Sequence, residues 1–188
     1  MICYLIRHGK DDETVRGGWS NHSLTSEGVE QVHNLGKEMC ASKMDIGKIY
    51  SSDIQRAKES AEILGGYLKC PITYMPEFRE INNGDLAGMK HEMAEEKFPG
   101  VYWNTLAYDE CYPNGESPKL FFERVELAWN DFKERILKHT GKEVLLVTHG
   151  GVVEVILCIE NGLAFSNKKK QFSTVNAKLI PIEISEVR

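Results

Sequence analysis

Of the six histidines in this chain, only His8 and His149 directly precede a glycine, and each directly follows an apolar run that reads as a buried strand. In open parallel α/β sheets the ligand crevice lies beyond the carboxyl ends of the strands, so Arg7-His8-Gly9 and Thr148-His149-Gly150 can converge although far apart in sequence. Arg56 follows a second strand candidate, Lys48 to Ser51, and falls beyond the same edge. Two arginines and two histidines gathered there suit a phosphoryl group, because guanidinium presents forked donors to phosphate oxygens and keeps its charge. Glycine after each histidine lets backbone approach a ligand, and the helix start after Gly151 can direct free amides toward an anion. One imidazole could then attack phosphorus as a nucleophile. It must be unprotonated to do so, a state that neighbouring Arg7 and Arg56 favour. A departing alkoxide still needs a proton, so a carboxylic acid is expected nearby.

The elements that would position these groups follow from apolar spacing. Ile2 to Ile6 reads as a strand, and Val29, Val32, Leu35, Met39 and Cys40 read as a helix opened by the hydroxyls of Thr25 and Ser26. Ile54, Ala57, Ala61, Leu64 and Leu68 form a second helical stripe, opened by Ser52 with Gln55 three residues on. Pro71 to Tyr74 can make a third strand, and Pro76 to Pro118, punctuated by glycine and proline, reads as irregular. A long helix with Phe122, Val125, Trp129, Phe132 and Ile136 on one face runs to a stop near Thr140-Gly141. Glu143 to Thr148 is the strongest buried-strand signal, a further helix follows Gly151, and Val175 to Ile184 alternates like a strand. Strands separated by helices imply right-handed crossovers, hence a three-layer α/β/α sandwich with a mainly parallel central sheet.

Composition bounds the class. The 188 residues fit one domain spanning 1–188. With 23 Lys and Arg against 28 Asp and Glu, the formal charge of −5 has the wrong sign for a general nucleic-acid binder. Five scattered cysteines without a CxxC pair, and no signal peptide or membrane-length apolar run, predict a cytoplasmic protein with no membrane partner. Asp11 and Asp12 beside His8 complete no metal-binding pattern, so chemistry without a metal or cofactor is expected.

Taken together, Arg7-His8-Gly9, the segment from Ser51 to Ala57, Phe78-Arg79-Glu80-Ile81-Asn82-Asn83-Gly84, Pro113-Asn114-Gly115-Glu116-Ser117 and Thr148-His149-Gly150-Gly151 resemble the histidine phosphatase superfamily, also called phosphoglycerate mutase-like. The resemblance covers nearly the whole chain, and five ordered segments make it specific. It implies that His8 is the phosphorylated nucleophile, that Arg7, Arg56 and His149 complete the phosphate pocket, and that Glu80 is the proton donor. Spacing alone does not select Glu80. Many members continue Arg-His-Gly with Glu-Thr and then an Asn that touches phosphate. This chain instead continues Lys10-Asp11-Asp12-Glu13-Thr14, which leaves that Asn without a counterpart and Thr14 or Arg16 as replacements.

The expected activity is hydrolysis of a small phosphorylated metabolite, a phosphate monoester, through phospho-His8. A cofactor-dependent phosphoglycerate mutase is the alternative, disfavoured by length because such mutases are typically longer. A silent phosphoester-binding module is the third reading. Bland roles are expected for His22, His33, His91 and His139, for Lys168 to Lys170 as a solvated loop, and for Glu116 and Ser117 as caps of the long helix. Oligomeric state is left open by the sequence.

Overall fold

The computed structural model describes residues 1–139 and 141–185. Thr140, the expected helix stop, and the side chain of His139 lie outside the described residues. Five strands form one sheet: β1 (Ile2–Arg7), β2 (Ile46–Ser51), β3 (Ile72–Tyr74), β4 (Glu143–Thr148) and β5 (Leu179–Glu183), in the order β3-β2-β4-β1-β5. The first four run parallel and β5 joins β1 antiparallel at an edge. There Pro181 is tolerated, because an edge strand has one side free of ladder bonds.

Successive residues of the parallel strands feed opposite faces. Cys3, Leu5, Val144 and Leu146 enter one core with Phe121, Trp129, Phe132, Val152 and Ile156 from α4 (Pro118–His139) and α5 (Gly150–Glu160). Ile6, Leu145 and Val147 enter the other with Val32, Leu35 and Met39 of α1 (Ser26–Ala41) and Ala57, Ala61 and Leu64 of α2 (Gln55–Leu68). Helices therefore cover both faces, as three layers require. Each fully buried aliphatic side chain contributes about 1.5–3 kcal/mol. The stripe on α4 differs by one position from expectation. Phe121 is fully buried while Phe122 is only partly so, because Phe122 stacks on Phe165 at the flank.

Between β3 and α4 the chain makes two single 3₁₀ turns, Pro76–Phe78 and Gly84–Leu86, and one short helix, α3 (His91–Lys97), inside the stretch expected to be irregular. Only Ala94 of α3 is buried, so the sequence there carries no apolar period. Thr25 caps α1, its Oγ1 accepting from Gly28 N at 3.1 Å. Ser52 does not cap α2 as expected: the cap position is Ile54, without a side-chain bond, and the Ser52 hydroxyl is drawn to His149. No helix among the described residues is long and apolar enough to cross a membrane.

Candidate active site

Register brings the histidines together. Arg7 pairs with Thr148 in the β1–β4 ladder, and His8 N donates to Thr148 O at 2.9 Å, so His8 and His149 leave adjacent strand ends side by side. Their ring centroids are 5.2 Å apart at 62°. On the other side of β4, Ser51 pairs with Val147 and Ser52 N donates to Val147 O, which sets Ser52 Oγ 2.8 Å from His149 Nε2. One turn on, Arg56 is buried at the start of α2.

The partners of His8 fix its tautomer. Gly9 O can only accept, so the Nδ1 at 2.6 Å from it donates; Arg56 Nε can only donate, so the Nε2 at 3.1 Å from it accepts. His8 is thus a neutral imidazole with its Nε2 lone pair facing the cationic side of the site. Burial holds its pKa well below the ordinary 6.5, reinforced by the charges of Arg56 and Arg7 and opposed by the bond to Gly9. The pKa of His149 is depressed in the same direction, again chiefly by burial and then by Arg56. Desolvation therefore outweighs the guanidinium charges singled out from the sequence. Asn176 Nδ2 donates to His8 O at 2.8 Å and Gly9 N to Ser60 Oγ at 3.1 Å, which anchors the backbone on both sides of the ring.

Arg56 is held by four residues of the segment between β1 and α1. Besides His8, it donates from Nη2 to Gly18 O at 2.8 Å and from Nη1 to Ser20 O at 3.2 Å, and Asp11 Oδ2 lies 3.2 Å from its Nε. Arg7 donates from Nη1 to Thr174 O at 3.0 Å, while its Nε is buried without a partner, as is Nδ1 of His149. Buried donors left unpaired cost about 1–3 kcal/mol each unless something meets them, which marks these atoms as ligand-facing candidates.

Glu80 stands opposite, on the loop after the first 3₁₀ turn. Its Oε2 accepts from Gly151 N at 3.0 Å and its Oε1 from Ile81 N at 3.1 Å. A Cβ at Gly151 would come within 2.3 Å of Glu80 Oε1, so only glycine permits this approach. The amide at the start of α5 is thus taken by the Glu80 carboxyl group rather than left free for an anion. The Glu80 loop is tied down by Arg124 of α4, which donates to Glu77 O, Arg79 O and Glu80 O, and by Trp19 Nε1, which donates to Glu80 O at 2.7 Å. Arg124 also forks onto Glu116, whose Oε2 accepts from Asn82 N at 2.9 Å. Glu116 therefore braces this loop instead of capping α4; Ser117 is the cap, its Oγ accepting from Leu120 N.

These groups surround a cleft of about 730 Å³ lined by Arg7, His8, Arg56, Glu80 and Gly150, with the fully buried His149 ring edge-on to His8. Its shape is that of a small-molecule site. A model of the histidine phosphatase superfamily (branch 1) matches residues 3–188. The chain belongs to that superfamily. Among relatives of this histidine phosphatase family member, the uncharacterized phosphatase PhoE of Bacillus subtilis (strain 168) is 29% identical over 188 residues, covering 98% of this chain and 89% of PhoE. A 2,3-bisphosphoglycerate-dependent phosphoglycerate mutase of Parvibaculum lavamentivorans is 30% identical over 158 residues, covering 79% of this chain and 74% of that one. The solved structure of Bacillus stearothermophilus YhfR superposes with a TM-score of 0.83 at 26% identity, over 98% of this chain and 92% of that chain.

Within this family member, two sequence expectations need correction. Gly9 does not line the cleft: a Cβ there would meet Gly28 O at 2.4 Å, so its glycine serves the close approach of α1, not of a ligand. Lys168 and Lys170 are not a freely solvated run. Both line the cleft, Lys168 Nζ donating to Thr105 O at 2.8 Å and Lys170 Nζ to Thr174 Oγ1 at 2.8 Å. His91 and Trp103 also border it, whereas His33 bonds to Tyr67 on α1 and α2. The polar pattern around position 168 resembles any surface loop, and only its contact with residues 105–106 reveals the placement.

Proposed function

We propose that this protein hydrolyses a small phosphate monoester through a phosphohistidine on His8. The observation that carries this reading is the single tautomer of a buried, neutral His8 whose Nε2 lone pair accepts from Arg56 in a cleft that Arg7 and Glu80 also line.

Phosphate entering the cleft displaces Asp11 from Arg56 and takes hydrogen bonds from Arg56 and from the unpartnered Arg7 Nε. Ser52 Oγ accepts from Ile54 N at 3.3 Å and in this reading donates its own proton to His149 Nε2, so that the His149 proton sits on Nδ1 as a further donor to a phosphate oxygen. The guanidiniums offset charge on the transferring oxygens in a buried setting, where such fixed donors act strongly. Arg56 Nε–H turns from His8 Nε2 to a phosphate oxygen, which frees the lone pair. Nε2 then attacks phosphorus in line, the P–O bond to the leaving group breaks, and protonated Glu80 supplies the proton that the alkoxide needs. Water then attacks the phosphohistidine with Glu80, now a carboxylate, taking its proton; the P–Nε2 bond breaks, phosphate leaves and His8 recovers its neutral imidazole. Cationic charge comes from arginine throughout, with no metal step. All five cysteines are free, in keeping with a reducing, cytoplasmic setting.

The test is phosphate release from p-nitrophenyl phosphate by the wild type and by His8→Ala, with thermal unfolding as the control for folding. Release that persists in a folded His8→Ala protein overturns the proposal, and absence of release by the wild type favours a silent binding module. The mutase relative motivates a second arm. With a phosphoglycerate as substrate, isomer interconversion that outpaces phosphate release assigns the mutase reaction instead.

A further inference from the structure

Arg16 is the cleft cation that the reaction above does not use. Its Nε and Nη2 are buried without a hydrogen-bond partner, although the residue lines the cleft and its guanidinium is stacked 4.0 Å from the ring centroid of Tyr102. The Tyr102 ring is itself fixed, its hydroxyl donating to Glu95 Oε2 at 2.5 Å. A guanidinium clamped on an aromatic face keeps its planar fork oriented, and two vacant donors on it match an anionic oxygen pair. Several acidic neighbours already have partners: Asp11 pairs with Arg56, Asp12 accepts from Thr14, and Glu154 accepts from Gln171 N and Phe172 N. Lys168 and Lys170 add positive charge to the same cleft.

Arg16 is held on a different part of the cleft wall from the other two arginines: its guanidinium lies on the Tyr102 ring, whereas Arg56 donates to Gly18 O and Ser20 O and Arg7 to Thr174 O. That placement favours a role away from the reacting phosphate over one in place of the family's phosphate-contacting Asn.

We infer that Arg16, braced by Tyr102, forms a second anion subsite in the cleft, so that the preferred substrate is a phosphate monoester carrying a carboxylate or a second phosphate away from the ester that reacts. This rests on the phosphatase reading above. One charge-assisted, forked contact of this kind corresponds to roughly tenfold to hundredfold in kcat/KM.

The experiment compares alkyl phosphates of two to six carbons ending in methyl, carboxylate or phosphate, on the wild type and on Arg16→Met and Arg16→Gln. The expected result is a preference of about tenfold or more for at least one anion-ended chain length over its methyl-ended counterpart. Both variants lose that preference while hydrolysis of the methyl-ended esters stays within about twofold. The carboxylate and phosphate arms show which anion fits. Hydrolysis of all esters by the wild type without preference for an anionic end overturns the subsite and leaves the phosphatase reading intact; this arm needs no variant to fold. An equal loss on methyl-ended esters in both variants also overturns it, by placing Arg16 on the reacting phosphate. Failure of the wild type to hydrolyse any ester refutes the phosphatase reading and the subsite with it.

Discussion

Asp11 occupies the place that an incoming phosphate must take, and replacing it by asparagine is expected to tighten anion binding. Its Oδ2 lies 3.2 Å from Arg56 Nε, and its side chain is 14% exposed against 2% for Arg56. A carboxylate and a phosphate about 4 Å apart repel by about 1 kcal/mol in bulk water and about 4 kcal/mol at the effective dielectric of a partly buried pair. Asp11→Asn removes that repulsion while keeping the shape of the side chain. Arg56 loses a counter-charge but keeps Gly18 O, Ser20 O and His8 Nε2 as acceptors, so the fold survives. Allowing for water and side-chain adjustment, the net gain is about 1.5–3 kcal/mol, or roughly tenfold to hundredfold in affinity. The assay is competitive inhibition of aryl phosphate hydrolysis by inorganic phosphate at neutral pH, repeated at high salt, where the gain shrinks because part of the repulsion is screened. An inhibition constant unchanged within twofold, or weaker, in a folded Asp11→Asn protein refutes the reasoning and makes Asp11 part of the productive site.

Two further outcomes follow from the same geometry. Glu80→Gln keeps an acceptor for the Gly151 amide but cannot give up a proton. Turnover of alkyl phosphates is expected to fall roughly a hundredfold to ten-thousandfold. Hydrolysis of p-nitrophenyl phosphate, whose leaving group needs little protonation, is expected to fall much less; an equal loss on both esters would contradict the assignment of Glu80 as acid. His8 and His149 have folded-state pKa values depressed below the ordinary 6.5, so the unfolded chain binds more protons than the native one at acidic pH. Stability contributed by their neutral burial is therefore present above about pH 6.5 and lost as pH falls below it, at up to about 1.4 kcal/mol per pH unit for each ring. Thermal melts from pH 7.5 to 5 should show a shallower decline for His149→Gln than for the wild type, and parallel declines would exclude this linkage.

Legibility in the sequence tracked how local each signal was. Glu143–Thr148 was readable to the residue because an unbroken apolar run has one solution in a parallel sheet covered on both faces. The convergence of His8 and His149 was readable from topology alone, since both follow strands and parallel strands end on one side. Ser52 shows the limit. Its spacing to Gln55 fits a helix cap, but the β2–β4 register turns its hydroxyl to His149, and register is not a local property. Glu80 has no sequence signal apart from family resemblance, because Arg124, forty-four residues later, and Trp19, sixty-one residues earlier, hold its backbone. The helix His91–Lys97 and the cleft-lining Lys168 and Lys170 escaped for a related reason: each is a polar stretch whose placement depends on what packs beneath it.

The division between the catalytic centre and its surroundings has a consequence for specificity. His8 needs no carboxylate to orient it, because a backbone carbonyl takes Nδ1–H and a buried guanidinium faces Nε2, both fixed by strand ends and the start of a helix. Its reactive state is therefore set by the sheet and by burial, the parts of the molecule least able to vary without loss of the core. The outer wall of the cleft comes from residues 11–18, 102–104 and 165–170, which lie outside every helix and the five-stranded sheet. Within them Gly18, Trp103, Phe165 and Asn167 are tied to Arg56 or to the core, whereas Arg16 stacks on Tyr102 and Lys168 donates to Thr105 O. Changes at Arg16 or Lys168 can thus alter which ester enters without disturbing the tautomer that attacks it. Changes at Ser52, Ser60 or Asn176, none of which line the cleft, act on the orientation of the two imidazoles and on turnover of every substrate alike.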